Sequence, residues 1–301
     1  MDTSERTISS VAGSSLAPGQ DAIRWHHHIL ALPLKGLSAL NIGPLGGENS
    51  ISVVIEAVLA ARKGQKVDFS LSKTERFFLK MLTAPNGPPI DQLLDYRELN
   101  HRAQKQALNR WGNEKLGVIW LGGGVFTREH PLIAETKFGG WHIWSDANPK
   151  VIETDQEIFD KMRQQTGHYN AAFSITLPQE IHKLNANIRF LAKAGIKHIL
   201  LQTYGMFYVL TKRENMEWLN QLERPTGVEM SFILNSMPQD IPLMPAVMAA
   251  FHNQRMVYYN RQTIEAMFAE ALPGSKIIWE IPQEESKYGV AVWLVHAPPN
   301  K

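Results

Sequence analysis

Three glycines and one aspartate carry the strongest chemical signal in the chain. The apolar run Gly117, Val118, Ile119, Trp120, Leu121 passes directly into Gly122, Gly123 and Gly124, and a second apolar run from Trp141 to Trp144 ends at Asp146. Glycine permits a sharp turn and a close approach of backbone to ligand, while an acid ending the next strand accepts hydrogen bonds from ribose hydroxyls. Together they point to a nucleoside-containing cofactor held at a strand end. A plain structural turn is the competing reading of the same glycines.

Other reactive constellations are weaker. The chain has no cysteine, which removes disulfides, thiolate metal sites and cysteine nucleophiles together. His26, His27 and His28 are adjacent, and neighbouring side chains diverge in a helix or a strand, so a shared metal is not expected of them. No Ser/His/Asp or paired-carboxylate spacing stands out, and no catalytic acid or base is assigned.

The elements that position the glycines follow from periodicity and caps. Apolar residues at helical spacing predict a helix over 49–62, and the S/T-x-x-E pattern at Ser72 and Glu75 predicts another over 72–82. Pro85, Gly87, Pro88 and Pro89 then break the chain. Residues 91–111 read as one or two helices leading into the glycine strand. Beyond Asp146, helices are expected over 150–165, over 178–194 closed by Gly195, and from Thr211, whose Glu214 completes a capping box. Strands are expected over 171–175, 196–205 and 227–236. The runs 276–282 and 288–298 have only a short polar linker between them, which requires an antiparallel hairpin. Alternating strands and helices of this kind predict a mostly parallel sheet covered on both faces.

Bulk properties set the surroundings. A length of 301 residues gives room for a sizeable core, and 44% hydrophobic with 20% charged residues is the composition of a soluble globular protein. The net charge of +2 is too small to imply a nucleic-acid surface, and no apolar run reaches membrane-spanning length. The polar start, residues 1–20, reads as a flexible tail rather than a secretory signal. A cytoplasmic protein binding neither nucleic acid nor membrane is expected.

A nicotinamide dehydrogenase would show G-x-G-x-x-G. Here Thr127 occupies the third glycine position, which leaves an oxidoreductase as a lesser alternative. Gly122, Gly124, Thr127 and Arg128, with the later stretch LLQTYGMFYVLTKRENMEWLNQL, resemble the leucine carboxyl methyltransferase family within the class I S-adenosylmethionine-dependent methyltransferases. Arg97 upstream and Asp146 downstream stand at that family's offsets, and the resemblance runs from about Tyr96 to the C-terminus. It implies an α/β Rossmann-like fold: a mostly parallel seven-stranded sheet with a C-terminal antiparallel hairpin, over 90–301, beneath an N-terminal helical cap over 21–89.

The same resemblance implies S-adenosyl-L-methionine as cofactor. Arg97 would take its methionine carboxylate, Gly122 and Gly124 would pass beneath it, and Asp146 would hold the ribose hydroxyls. Tyr204 and Tyr208 are expected to line the acceptor pocket, and Arg213 to be an exposed helix charge. The chain departs from the family where acids are lost: Phe126 precedes the motif threonine, Ser174 and Thr176 follow the third strand, and Gln202 and Thr203 end the fourth. Ser174 and Thr203 are thus neutral candidates for the cofactor site. The function implied is O-methylation of a carboxylate or hydroxyl on a small metabolite or peptide terminus, with a non-catalytic methyltransferase-like binding protein as the alternative.

Overall fold

Every side chain from Leu116 to Leu121 is buried, as a strand covered on both faces requires. This is β1 (Leu116–Leu121), at the centre of a seven-stranded sheet in the computed structural model. The structure describes residues 17–39, 51–62, 91–112, 116–126, 131–134, 141–166, 170–203, 206–238 and 255–300, with isolated positions between 64 and 83 and at 241. The helix expected over 72–82 falls mostly outside them, as do Thr127, Arg128 and Tyr204.

β2 (Trp141–Asp146) and β3 (Asn170–Ser174) lie to one side of β1, and β4 (His198–Gln202) and β5 (Glu229–Ser236) to the other. All four pairings are parallel. β7 (Ala291–Ala297) runs antiparallel to β5, and β6 (Lys276–Ile281) pairs antiparallel with β7 at the edge, giving the order β3-β2-β1-β4-β5-β7-β6. The terminal hairpin expected from its short linker is present. The order reverses between β1 and β4, and the crevice outside the carboxyl ends at such a reversal is where open α/β sheets bind ligands.

Period-two alternation divides the core into two layers. Val118, Trp120, Trp144 and Leu200 face α3 (Asp91–Trp111), α4 (Pro131–Ala134) and α5 (Pro149–Thr166), packing with Leu99, Leu132 and Ile158. Ile119, Leu121, Leu201 and Phe232 face α6 (Ile181–Lys193), α7 (Lys212–Asn220) and α8 (Arg261–Ala271), packing with Leu184, Trp218 and Phe268. Each such buried side chain stabilises the fold by about 1.5–3 kcal/mol. Gly195, at φ 86°, ends α6 by letting Ile196 N–H reach the Leu191 carbonyl at 3.1 Å. Helix α8 was not among the elements expected from the sequence; Asn260 caps it through its side chain, which accepts the Thr263 N–H at 2.9 Å.

Before the sheet come α1 (Trp25–Ala39) and α2 (Ile51–Arg62). The chain ahead of α1, expected as the end of a polar tail, is tied down. Gly19 N–H donates to the Tyr258 carbonyl at 2.6 Å, Ala22 N–H to Met256 at 2.9 Å, and Asp21 Oδ1 accepts the Met256 N–H at 3.0 Å. Among the described residues no helix is long and apolar enough to cross a membrane.

The capping box read at Thr211 forms. Thr211 Oγ1 accepts the Glu214 N–H at 3.2 Å, and Glu214 Oε2 accepts the Thr211 N–H at 2.7 Å. Thr211→Ala should therefore lower stability by about 1 kcal/mol. Urea melts should show a lower midpoint with unchanged m, because the unfolded surface is the same.

Candidate cofactor-binding site

Beyond Leu121 the chain turns through Gly122 and Gly124, both at positive φ (62° and 63°), a region that L side chains rarely adopt. Gly123 between them is buried against the next strand. A Cβ there would stand 2.6 Å from Trp144 Nε1, so the middle residue of the triplet is glycine for want of space. Trp144 Nε1 donates to the Gly124 carbonyl at 2.7 Å, and its ring stacks on Trp120 at 4.2 Å. Phe126 closes the turn, edge-on to both Trp144 and Phe159. The aromatic at the position of a missing family acid is thus an anchor into the core.

Asp146 ends β2 beside this turn. Its Oδ2 accepts the Gly124 N–H at 3.1 Å and its Oδ1 the Asn148 N–H at 2.8 Å. Burial raises its pKa, and the hydrogen bonds from Asn148, Gly124 and Ala147 pull it back. A carboxylate has about four acceptor positions, so these backbone bonds leave it room to accept from a ligand hydroxyl. Gly122, Gly124 and Asp146 are each partly exposed, whereas Gly123 is buried. The open backbone and the acid thus line one rim of the crevice, as a ribose-bearing ligand requires.

Arg97, on α3, is buried, and its Nη2 pairs with Glu56 Oε1 on α2. The guanidinium expected to take a ligand carboxylate already holds a protein carboxylate. Asp155, on α5, is fully buried with Oδ1 accepting the Phe126 N–H at 2.7 Å. Sequence reading missed it, since it belongs to no motif and lies mid-helix.

The fourth and fifth strands end in a buried amide layer. Asn100 Nδ2 donates to the Tyr96 carbonyl at 2.8 Å, which fixes Asn100 Oδ1 as the acceptor for Gln202 Nε2 at 3.1 Å and Asn235 Nδ2 at 3.2 Å. Gln202 Oε1 and Asn235 Oδ1 then have no hydrogen-bond partner. Thr203 is spoken for as well: its hydroxyl donates to the Ile233 carbonyl at 2.9 Å. Ser174 is exposed at the end of β3, in register with Asp146, and its carbonyl accepts from Lys183 Nζ at 3.1 Å. Tyr208 is half-buried and meets Tyr96 edge-on at 6.4 Å. The structure brings Gly122, Gly124 and Asp146 together, places Ser174 beside them, and turns Thr203 inward.

No family model matches the chain, and neither does any curated protein. Among solved structures, a candidate methyltransferase from Thermobifida fusca YX superposes with a TM-score of 0.54 at 13% identity, covering 85% of this chain and 99% of that one. A DUF574 family protein from Streptomyces avermitilis gives a TM-score of 0.54 at 10% identity, covering 83% of this chain and 97% of that one. The strand order and these likenesses agree. The chain has the class I methyltransferase fold. The methyltransferase fold was legible from the resemblance, while similarity to the leucine carboxyl methyltransferases in particular is not shown.

At the opposite end of the sheet, tertiary structure assembles an arrangement the sequence did not suggest. Glu229 Oε2 lies 3.2 Å from His198 Nδ1, and His198 Nε2 lies 3.0 Å from Ser231 Oγ. These are the contacts of a hydrolytic triad, but Ser231 is fully buried, its Oγ also meets His296 Nδ1 at 3.3 Å, and Trp111 stacks on His198 at 4.0 Å. A nucleophile needs access, so this is a structural network that ties β4, β5 and β7 together.

Two predictions test the turn and its surroundings. Gly123→Ala should cost about 1–3 kcal/mol through overpacking on Trp144, and Trp144→Phe should cost at least as much, since it loses the bond to Gly124 and leaves a cavity where the larger ring packs on Trp120. Thermal melts check the order. Burial drops His142 to about 4, so its folded form stays neutral while the unfolded chain takes up a proton near 6.5. Stability should fall as pH falls from about 6.5 to 4, by up to about 1.4 kcal/mol per unit from this residue. Chemical denaturation of His142→Asn should show a shallower loss over that window.

Proposed function

We propose that the chain is an S-adenosylmethionine-dependent methyltransferase acting on an oxygen of a small molecule or a peptide terminus. The observation that carries this is the open turn at Gly122 and Gly124 bonded to Asp146, at the strand-order reversal of a class I methyltransferase fold. Asp146 would accept the ribose hydroxyls, and Gly122 and Gly124 would let the backbone lie under the ligand. Ser174, exposed beside Asp146, would offer a neutral hydrogen bond near the base. Arg97 would take the methionine carboxylate by exchanging it for Glu56, a swap of one carboxylate for another on the same guanidinium. Tyr208, with Tyr204, would line the acceptor side.

When bound, the cofactor would supply a methyl group on a sulfonium. Transfer is an in-line displacement, so the residues above serve alignment and exclusion of water more than proton transfer. A carboxylate acceptor is ionised at neutral pH and attacks directly. A hydroxyl acceptor suits a crevice holding the Asp146 carboxylate better, because it brings no further negative charge.

A second reading is favoured by the Arg97–Glu56 pair and by the neutral residues Phe126, Ser174 and Thr203: a ligand-binding protein of the same fold without catalysis. Titration calorimetry with S-adenosylmethionine and S-adenosylhomocysteine separates the possibilities. Binding is expected, weakened about tenfold or more in Asp146→Ala, since hydrogen bonds to a charged acceptor contribute about 1.5–3 kcal/mol each. No binding at millimolar ligand would refute both cofactor roles. Binding without label transfer to carboxylate or phenolic acceptors, followed by mass spectrometry, would select the non-catalytic reading.

A further inference from the structure

Asp155 reaches the glycine turn from α5 and is fully buried. One oxygen accepts the Phe126 N–H; the other, Oδ2, is buried and meets no hydrogen-bond donor. The charged groups that act on it are Asp146 at the end of β2 and Glu56 on α2, both acids. His142 shares the Asp146 face of β2 by alternation and is kept neutral by burial. The described residues of β3 and α4 carry no ionisable side chain. Arg97 is turned to Glu56. An ionised Asp155 would place a bare buried oxygen beside two further acids, an arrangement that proteins avoid by keeping the proton.

We propose that Asp155 is a positioning residue of the cofactor crevice: in its uncharged form it holds the glycine turn open for the cofactor, and its ionisation as pH rises weakens cofactor binding. The proposal rests on the methyltransferase reading above. Oδ1 is the acceptor that fixes Phe126, and the proton resides on Oδ2. Burial pushes this carboxyl well above the usual carboxylate range, Asp146 and Glu56 push it further, and only the Phe126 N–H opposes them. Loss of that proton puts a charge next to Asp146, which holds the other side of the same turn through Gly124. Two carboxylates repelling across a five-residue turn distort the surface on which Gly122 and Gly124 lie.

The variants Asp155→Asn and Asp155→Ala separate charge from hydrogen bonding. Asparagine retains a carbonyl acceptor for Phe126 and cannot ionise; alanine has no acceptor. Calorimetry with S-adenosylhomocysteine between about pH 6 and 9 should show wild-type affinity falling as pH rises, since only the protonated form holds the turn. Asp155→Asn should keep the low-pH affinity throughout, whereas Asp155→Ala should bind about tenfold more weakly at every pH. Infrared spectra of the ligand-free protein supply a readout independent of the cofactor. A protonated carboxylic acid band should be present in wild type near neutral pH, absent in Asp155→Asn, and lost over the pH range in which affinity falls. The melting temperature of Asp155→Asn should exceed that of wild type by a margin that grows with pH above about 4, because the unfolded aspartate releases its proton there and the folded one keeps it. No such band, or an Asp155→Asn protein with the pH profile of wild type or the weakness of Asp155→Ala, overturns the proposal. Absence of ligand binding by wild type at every pH, with the band present, overturns the cofactor reading instead. If Asp155→Ala does not fold, the asparagine variant and the infrared band decide alone.

Discussion

The glycine turn must do two incompatible things: present bare backbone to the crevice and keep that backbone in one shape. A free glycine segment has the largest conformational entropy of any, so something outside it has to hold it. Here three side chains on two neighbouring elements do so. Trp144 takes the Gly124 carbonyl, Asp146 the Gly124 N–H, and Asp155 the Phe126 N–H. Phe126 drives the end of the turn into the aromatic layer on Trp144 and Phe159. The turn is rigid because its surroundings are, which is how a binding surface is organised before its ligand arrives.

Electrostatics give the site its character. Glu56 and Asp146 both act on Asp155, and the buried guanidinium among the described residues, Arg97, is paired with Glu56. Buried like charges are tolerated only if one is neutralised, and Asp155 is the member with an oxygen that finds no donor. Further along the crevice the amide layer of Asn100, Gln202 and Asn235 stands where the sequence resemblance led one to expect an acid. Neutral amides orient one another there by hydrogen bonds, and the Tyr96 carbonyl decides which way each one faces.

The helices before the sheet belong to this arrangement. Helix α3 supplies both Arg97 and Asn100, and α2, within the expected cap, supplies the Glu56 that pairs with Arg97. The strand ends opposite the crevice are closed by the His198, Ser231 and His296 network under Trp111. One end of the sheet carries the open glycine turn, and the other carries this aromatic and histidine network.

Much of the fold could be read directly from the chain, because its signals are local. Burial on both faces makes β1 a continuous apolar run, Gly195 ends α6 by its positive φ, Thr211 and Glu214 cap α7 across three residues, and a short linker forces the last two strands antiparallel. Gly122, Gly124 and Asp146 were equally visible, since a strand followed by glycines and a strand ending in an acid are patterns in sequence. What the sequence could not reveal is contact between distant positions. Asp155 is an ordinary helical acid until α5 packs against the turn; Thr203 is a candidate ligand until its hydroxyl finds Ile233; Arg97 is an open guanidinium until Glu56 reaches it. Local periodicity determined which elements exist and where the chain turns, and only packing decided which polar atoms those elements leave for a ligand, because burial and pairing are properties of neighbours in space.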